Sequence, residues 1–433
     1  MPSPLTPPFN NFSKLVDIIF GIHKNEFRLV LSFLIYLTIL ITGYVIFNIS
    51  SITLFVSQLS TTGLHQLLPW IYIGNAFTLL VIGNLYRKYI DRFGRVKLIS
   101  VTTLFFSLSI IFIRFFMAIS VDHEWLYFFI LLWNDSLFAM SLMMFYSFLG
   151  DYFHHNDAKR LYGFIAGGMA IGAMLAGILS EKILLYLSPQ DLLYFAAFIL
   201  GLSIIMPLLI EKKFKGHHVN AGKSISHYSP VKLKTIFSNP YVRLLLSVSV
   251  FSVFATSIST YQLFSITQVS LSTEKVGHFI SELVTIIGIA ILVIQFLLAR
   301  IIINTIGIFS ALLILPALLI ITSSGFLIYP VLLVATAIKL IDGAFTIMNE
   351  FMLQTLYVPL SERIRVHSLS VLTGIMMFGA RLLSGVTLLM LSFFAIQLRY
   401  YAIFILIPGI VWMLCIFSLK KRFYVVAHDK PHT

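Results

Sequence analysis

The sequence is poor in charged residues and in cysteine. Only 11% of its 433 residues are charged, whereas 59% are hydrophobic. A water-soluble fold of this size could not cover its exterior with so little polar surface, so lipid must be its main solvent. The single Cys415 excludes an intramolecular disulfide. No small-residue cleavage site follows the first apolar run, which is therefore predicted to be a retained helix and not a signal peptide.

Twelve apolar stretches are long enough to cross a hydrocarbon core of about 30 Å. They cover residues 29–49, 67–86, 98–119, 125–149, 162–187, 192–210, 241–264, 277–299, 302–322, 326–348, 369–395 and 400–419. This pattern predicts an all-α integral membrane protein with about twelve transmembrane helices.

The basic residues are distributed unevenly between the predicted loops. If the chain starts inside, 24 of the 30 Lys and Arg lie on the inner side, and only Lys182, Lys275 and Arg399 lie on the outer side. This bias is typical of an even number of spans with both termini in the cytoplasm. The net charge of +13 therefore marks topology, and we do not expect a nucleic-acid partner.

One long polar interruption, residues 211–240, divides the chain into two groups of six helices. The predicted domains are a cytoplasmic segment (1–28), an N-terminal half (29–210), a basic cytoplasmic linker (211–240), a C-terminal half (241–419) and a cytoplasmic tail (420–433). No ATP-binding motif indicates a pump or an enzyme.

The loop after the second span carries a recognisable pattern, in which Asp91, Arg92, Gly94 and Arg95 are the best-matching positions. It resembles the signature between helices 2 and 3 of major facilitator superfamily carriers, although an ordinary basic turn is the local alternative. The resemblance implies a two-half carrier with a solute site near the midplane and alternating access. It also implies a gating or conformational role for these four residues.

Ionisable side chains within predicted spans are candidates for function because burying a charge in lipid is costly. The deepest are Asp135, Lys339, Asp342 and Arg381, whose charges sum to zero, and Glu282 lies nearer the outer boundary. Lys339 and Asp342 are three residues apart and share one helix face. Asn134 adds a polar group beside Asp135, so we interpret these six residues as candidate substrate-binding or coupling residues.

Two interpretations of the charged set remain open. The structural one is a closed Lys339–Asp342 ion pair, or pairs with Arg381 and Asp135, that hold the helices in register. The functional one is that Lys339, with Arg381, binds an anionic substrate while Asp135 or Asp342 titrates or exchanges partners. Charge neutrality then predicts that a substrate pairing with Lys339 frees a carboxylate for a proton or another cation. No metal site or cofactor is predicted, because the His pairs lack neighbouring carboxylates or Cys.

Three segments carry a narrower resemblance: residues 151–163, residues 239–245 with Tyr261 and Gln262, and residues 356–365. They resemble the nucleotide transporter family typified by ATP/ADP translocases. The resemblance implies nucleotide exchange, with charged roles at Asp135, Glu282 and Lys339. The family's basic residues near the end of the first span are absent, because residues 47–53 read FNISSIT here. A nucleoside triphosphate carries about four negative charges, so their absence weakens the case for that substrate.

Three hypotheses for the function follow. The first is exchange of a small anionic solute, such as a nucleotide or related metabolite. The second is a proton-coupled carrier or exporter of a different organic solute, and the third is a scaffold or receptor that does not transport. Retention of a balanced deep charge set counts against the third, because apolar residues could replace it at little cost. We expect the chain in a bacterial inner membrane, with lipid around it.

Overall fold

The computed structural model describes residues 24–90, 94–119, 124–153, 155–214 and 233–428. All regular structure in these ranges is helical. Most of the predicted N-terminal segment, much of the predicted linker and the last five residues of the predicted tail lie outside the described residues.

The described residues form twelve long helical segments, numbered α1 to α12, at the positions of the twelve predicted spans. The N-terminal half contains α1 (Lys24–Gln58), α2 (Thr61–Ile90), α3 (Arg95–Ile119), α4 (Glu124–Leu149), α5 (His155–Leu184) and α6 (Leu192–Lys213). The C-terminal half begins after a short helix, Leu233–Ser238, with α7 (Pro240–Ser270), α8 (Thr273–Leu292, continued by Val293–Leu298 and Ala299–Ile306), α9 (Ile308–Ile328) and α10 (Leu332–Leu356). It ends with α11 (Glu362–Val371, Leu372–Met376 and Met377–Phe393) and α12 (Leu398–Ala402 and Ile403–His428).

Most of these helices have the length and the apolar composition of transmembrane helices. Within the described residues, 10 helices are long and apolar enough to cross one, and Met377–Phe393 is a shorter apolar helix. The 30-residue α2 occupies the position of the second predicted span. The predicted fold class, an all-α multi-pass membrane protein in two halves of six helices, is confirmed.

Three predicted spans in the C-terminal half had the wrong bounds. The predicted ranges 277–299, 302–322 and 326–348 end too early, because α8 continues to Ile306, α9 ends at Ile328 and α10 ends at Leu356. The sequence places the first turn at Arg300, the charged residue between the two apolar runs, and apolar residues run through the second turn. Hydrophobicity and charge alone therefore do not locate either turn. The first turn lies instead at Gly307, whose φ of 81° ends the helix in a conformation that favours glycine.

Close helix contacts within and between the halves depend on small residues. The α5 helix packs against α1 in its own half and against α8 in the other, and α2 packs against α11. A Cβ atom added at Gly172 would lie 2.8 Å from the carbonyl oxygen of Thr38, and one added at Gly288 would lie 2.7 Å from the backbone nitrogen of Met174. Gly167, Gly168, Gly172 and Gly177 of α5 therefore serve close packing, as their small-xxx-small spacing predicts, whereas nothing lies within 4 Å of a Cβ atom added at Gly163.

The two ends of the bundle differ in how the halves meet. We call the end that carries the Leu233–Ser238 helix the linker end, and the opposite end, with the short turn between α1 and α2, the turn end. Toward the turn end, α1 packs against α7 and α8, and α2 packs against α7. Within the described residues, α4 makes no extensive contact with α10 or α11. The halves are thus closed at the turn end. Toward the linker end α4 parts from α10 and α11, while α5 and α8 stay in contact through the hydrogen bond from Gln295 to the carbonyl oxygen of Gly163.

Two of the helices at the boundary between the halves are locally widened. Val293–Leu298 in α8 and Leu372–Met376 in α11 are π-helical. Their partners across the boundary, α5 and α2, are α-helical over all their described residues. Single π turns in a long helix are frequent at functional sites.

Candidate functional site

The C-terminal half contributes a compact polar cluster on α10 and α7. Lys339 donates hydrogen bonds to Asp342 at 3.0 Å and to Thr260 at 2.9 Å. Asp342 also accepts from Thr256 at 2.7 Å and from Thr346 at 3.3 Å. The side chain of Asp342 is 3% exposed and that of Lys339 is 22% exposed. The predicted shared helix face is confirmed, and the Asp342 carboxylate has partners on both oxygens.

The N-terminal half contributes a second acidic centre, Asp135 on α4. Asn75 on α2 donates its side-chain amide to Asp135, and Asn134 donates at 3.4 Å. Both asparagines are buried, and their amide oxygens lack a partner among the described residues. These amides stabilise Asp135 in one orientation without neutralising its charge.

Arg381 and Tyr72 connect the two clusters. Arg381, on α11, interacts electrostatically with Asp135 but makes no hydrogen bond or ion pair within the described residues. Tyr72, on α2, donates to the carbonyl oxygen of Ser257 on α7 at 3.0 Å. It also lies within electrostatic range of Asp135, Arg381 and Asp342. The structure therefore brings Asp135, Asn134, Lys339, Asp342 and Arg381 into one site between the halves.

An aromatic pair lies beside this charged site. The rings of Tyr44 on α1 and Phe138 on α4 stack at 4.3 Å between centroids, with an interplanar angle of 24°. Tyr44 is also within electrostatic range of Asp135 and Arg381. A flat aromatic surface next to fixed charges can hold a solute with a ring and a polar group.

The structure does not bring Glu282 to this site. Glu282 is exposed, and Ile286, Ile289 and Val293 are exposed at helical spacing along the same stripe of α8. The buried face of α8, which packs against α5, lies on the other side of the helix. Glu282 therefore lies on the outer surface of the bundle.

The predicted gating residues are only partly described. Asp91 and Arg92 lie outside the described residues, and Gly94 precedes the first residue of α3. Arg95 forms an ion pair with Asp151 and donates to the carbonyl oxygen of Ser147 at 3.2 Å. Arg95 thus links α3 to the end of α4 at the linker end.

Arg114, a further charged residue within a predicted span, has a local partner. It donates to Asp191 at 2.9 Å, which joins α3 to the start of α6 near the turn end. Burial alone would raise the pKa of Asp191, but hydrogen bonds from Ser188 and Arg114 outweigh burial and lower it. This pair accounts for Arg114 as a link between helices, away from the central site.

Sequence reasoning missed Glu350. The predicted span stopped at residue 348, so Glu350 was counted with the loop, whereas α10 continues to Leu356. Glu350 interacts electrostatically with Asp342 on its own helix and with Tyr146 on α4 of the other half. It therefore faces the cleft. The missed signal was the apolar continuation of the helix beyond Glu350.

A group of polar contacts closes the turn end above the site. The Tyr261 hydroxyl on α7 and the His65 ring on α2 are 2.6 Å apart. Tyr261 also stacks on Tyr401 at 5.0 Å. Gln268 on α7 donates to the carbonyl oxygens of Val56 and Leu59 at 3.1 and 2.7 Å. The contacts of His65 and Gln268 join the halves. Together with the stack of Tyr261 on Tyr401, which lies within the C-terminal half, we call them the turn-end latch.

A cavity of 990 Å³ lies at this end. Its lining includes His65, Trp70, Ser265 and Arg399 but none of the central charged residues. The turn-end latch therefore borders this cavity, which is separate from the central site.

Twelve long helices in two halves, with a charged site between them, define a membrane transporter. The family model described as Major Facilitator Superfamily matches residues 29–386. The chain belongs to this superfamily, whose members are transporters and not enzymes.

Solved structures share the fold at low sequence identity. The nucleoside transporter NupG is 16% identical with a TM-score of 0.59, over 90% of this chain and 99% of that chain. The proton:xylose symporter XylE is 13% identical with a TM-score of 0.64, over 90% of this chain and 95% of that chain. No curated protein sequence matches this chain significantly. The resemblance to ATP/ADP translocases stays a prediction.

Proposed function

We propose that this protein is a secondary active transporter that exchanges a small anionic solute, a nucleotide or a related metabolite, through the cleft between its halves. The observation that carries the proposal is the pair of cationic side chains, Lys339 and Arg381, in one polar site. Arg381 has no hydrogen bond or ion pair with any of the described residues. An anion entering the cleft meets a guanidinium that loses no existing contact when it binds.

The site contains one group that fits the acidic portion of such a solute and another that fits its ring. The guanidinium of Arg381 can bind a carboxylate or phosphate with two parallel hydrogen bonds. The stacked rings of Tyr44 and Phe138 provide a surface for a base or another ring. Lys339 then becomes the second cation once it leaves Asp342, and the freed carboxylate changes the charge balance of the empty carrier.

A different solute is favoured by one specific observation. Lys339 is already satisfied by Asp342 and Thr260, so the site can also operate with a neutral solute such as a nucleoside or sugar. Two solved proteins of similar fold are named as a nucleoside transporter and a proton:xylose symporter. In this second candidate, transport is coupled to protons and the ion pair stays closed.

The excess of Lys and Arg in the predicted inner loops supports one orientation of the protein in the membrane. We take the linker end as the cytoplasmic side and a bacterial inner membrane as the location, because inner loops collect Lys and Arg. The described conformation would then be closed to the outside and open to the cytoplasm.

Uptake into proteoliposomes tests the proposal. Vesicles preloaded with ADP receive external labelled ATP, and parallel vesicles contain no nucleotide. We expect uptake that requires internal ADP and fails with Lys339→Ala. The same vesicles with labelled uridine or xylose and an imposed proton gradient test the second candidate. Uptake of uridine or xylose without any nucleotide exchange would overturn the anion proposal, and no uptake of any probe by folded protein would favour the non-transporting class.

A further inference from the structure

Glu350 is a carboxylate in the cleft for which the described part of the chain provides no partner. Its side chain is exposed and makes no hydrogen bond or ion pair within the described residues. Tyr146, which faces it from α4, is 37% exposed. Because the halves part at this level, water from the linker end reaches both residues.

Glu350 also changes the charge balance of the cleft. Asp135, Asp342 and Glu350 supply three negative charges, and Lys339 and Arg381 supply two positive ones. Asp342 is paired with Lys339 and accepts from two threonines. Asp135 is stabilised by two amides and lies near Arg381. The uncompensated negative charge is therefore that of Glu350, and the neutrality inferred from the predicted spans alone does not hold.

Among the side chains that the structure describes, the groups around Glu350 offer it no cation. On its own helix it is repelled by Asp342, and across the cleft it faces the phenol of Tyr146, with Tyr162 behind it at 6.4 Å between ring centroids. Of the helices packed against α10, α9 has no charged residue, and the one charged residue of α7, Arg243, is exposed in its first turn. On α8, the charged residues Glu274, Lys275, His278 and Glu282 lie in the part nearer the turn end, and the side chain of Arg300 is not described.

Closure of the linker end would change the surroundings of Glu350 from water to protein. A bare carboxylate moved into a dry interface is strongly disfavoured, and it becomes protonated unless a cation reaches it. The carboxylic acid form can donate its proton to the Tyr146 hydroxyl, which lies on the opposite wall. The ionised form would meet the like charge of Asp342.

We propose that Glu350 is a proton-binding site that couples the cleft to the proton concentration at the linker end. One proton from water binds a carboxylate oxygen of Glu350 when the linker end is open. The neutral acid then allows the halves to close there, and the proton leaves when the site opens at the turn end. This inference concerns the coupling ion. It rests on the second, proton-coupled candidate function, because a carrier that closes with a proton alone does not need internal nucleotide in order to return.

The test measures closure directly and needs no solute. Replacing Cys415 with Ser leaves a chain without cysteine, into which Lys212→Cys and Lys420→Cys place spin labels at exposed linker-end positions of α6 and α12. The distance between the labels is measured in lipid nanodiscs from pH 9 to pH 5. A group that is protonated more readily in the closed state favours closure as pH falls. For one proton, the closed-to-open ratio changes by up to about tenfold per pH unit.

Two variants distinguish the effect of Glu350 on the pH response from the effect of another carboxylate. We expect the wild-type cleft to close at low pH, and Glu350→Gln to be closed and insensitive to pH. The matched control, Glu282→Gln, removes a carboxylate on the outer surface of α8 and should keep the wild-type response. A wild-type cleft that ignores pH, or a Glu350→Gln cleft that responds like wild type, would overturn the proposal. So would a pH-insensitive variant that stays open, because ionised Glu350 would then be the form that favours closure.

Discussion

The two charge clusters of the cleft differ in how they are assembled. Lys339 and Asp342 lie on one helix, contact each other at 3.0 Å and share threonines of α7 in the same half. Asp135 and Arg381 belong to different halves and interact without a direct bond. The first cluster can therefore move as a unit with its half. In the second cluster, the distance between Asp135 and Arg381 must change whenever the halves move. Both side chains can therefore bind a solute in the cleft.

The largest expected effect comes from removing the cation of the first cluster. Lys339→Ala leaves a carboxylate that is 3% exposed without its charge partner. Breaking a buried pair in this way costs ~3–5 kcal/mol, and we expect transport to be abolished while the protein still folds and inserts. Initial uptake rates and thermal unfolding in the same lipid measure the two effects.

The double variant Lys339→Ala/Asp342→Asn is the matched control. With both charges gone, no unpaired charge is buried, so we expect most of the lost stability to return and transport to stay absent. Normal turnover by Lys339→Ala would contradict a role for this residue in transport.

A smaller effect is expected from the second cluster. Arg381→Ala loses no direct contact, so the free energy of unfolding should change by less than about 1 kcal/mol. Transport should fall by ~10–100-fold if the guanidinium binds the solute, since one charged hydrogen-bonding contact contributes about 1.5–3 kcal/mol. Arg381→Lys keeps the charge but not the planar geometry and should give an intermediate rate. If Arg381→Ala lost stability as strongly as Lys339→Ala, the contrast between the clusters would be wrong.

The smallest effect concerns the turn-end latch. Tyr261→Phe removes the contact with His65, which at about 1 kcal/mol shifts the open-to-closed ratio of that end by ~5-fold. Spin labels at Tyr186 and Tyr329, exposed residues of the two halves at the turn end, measure the shift.

The control for the latch is Tyr36→Phe. Tyr36 is buried in the core of the N-terminal half and packs on Phe145 of the same half. Its hydroxyl should therefore not affect the opening of the turn end. An equal shift in both variants would mean that the latch does not depend on Tyr261.

Several parts of this structure follow from the sequence. The spans are predictable because the thickness of the bilayer sets the length of an apolar helix that crosses it. The division into halves and the orientation are predictable because basic residues collect in the inner loops. The common face of Lys339 and Asp342 follows from helical spacing, and the glycines of α5 follow from the small-xxx-small pattern.

Other parts depend on information that hydrophobicity does not carry. The charge of Arg300 predicts a turn there, whereas the chain turns at Gly307. The predicted bounds of α8 to α10 are therefore displaced, and they place Glu350 in a loop. Glu282, predicted to lie nearer the outer boundary, is grouped with the deep charges as a candidate site residue, because a sequence shows depth in the membrane but not which way a side chain points. The approach of Arg381 to Asp135 depends on how two halves meet, which no local pattern encodes.

The interruptions in the helices along the boundary between the halves lie at different depths. A helix is easiest to bend where its regular hydrogen-bond ladder is interrupted. Val293–Leu298 in α8 and Leu372–Met376 in α11 place such points nearer the linker end. Pro69 places one in α2 nearer the turn end, where Ser392 donates to the carbonyl oxygen of His65 in place of the missing backbone N–H. Each wall of the boundary can therefore bend at a point of its own, so the two ends can open without either half moving as one rigid body.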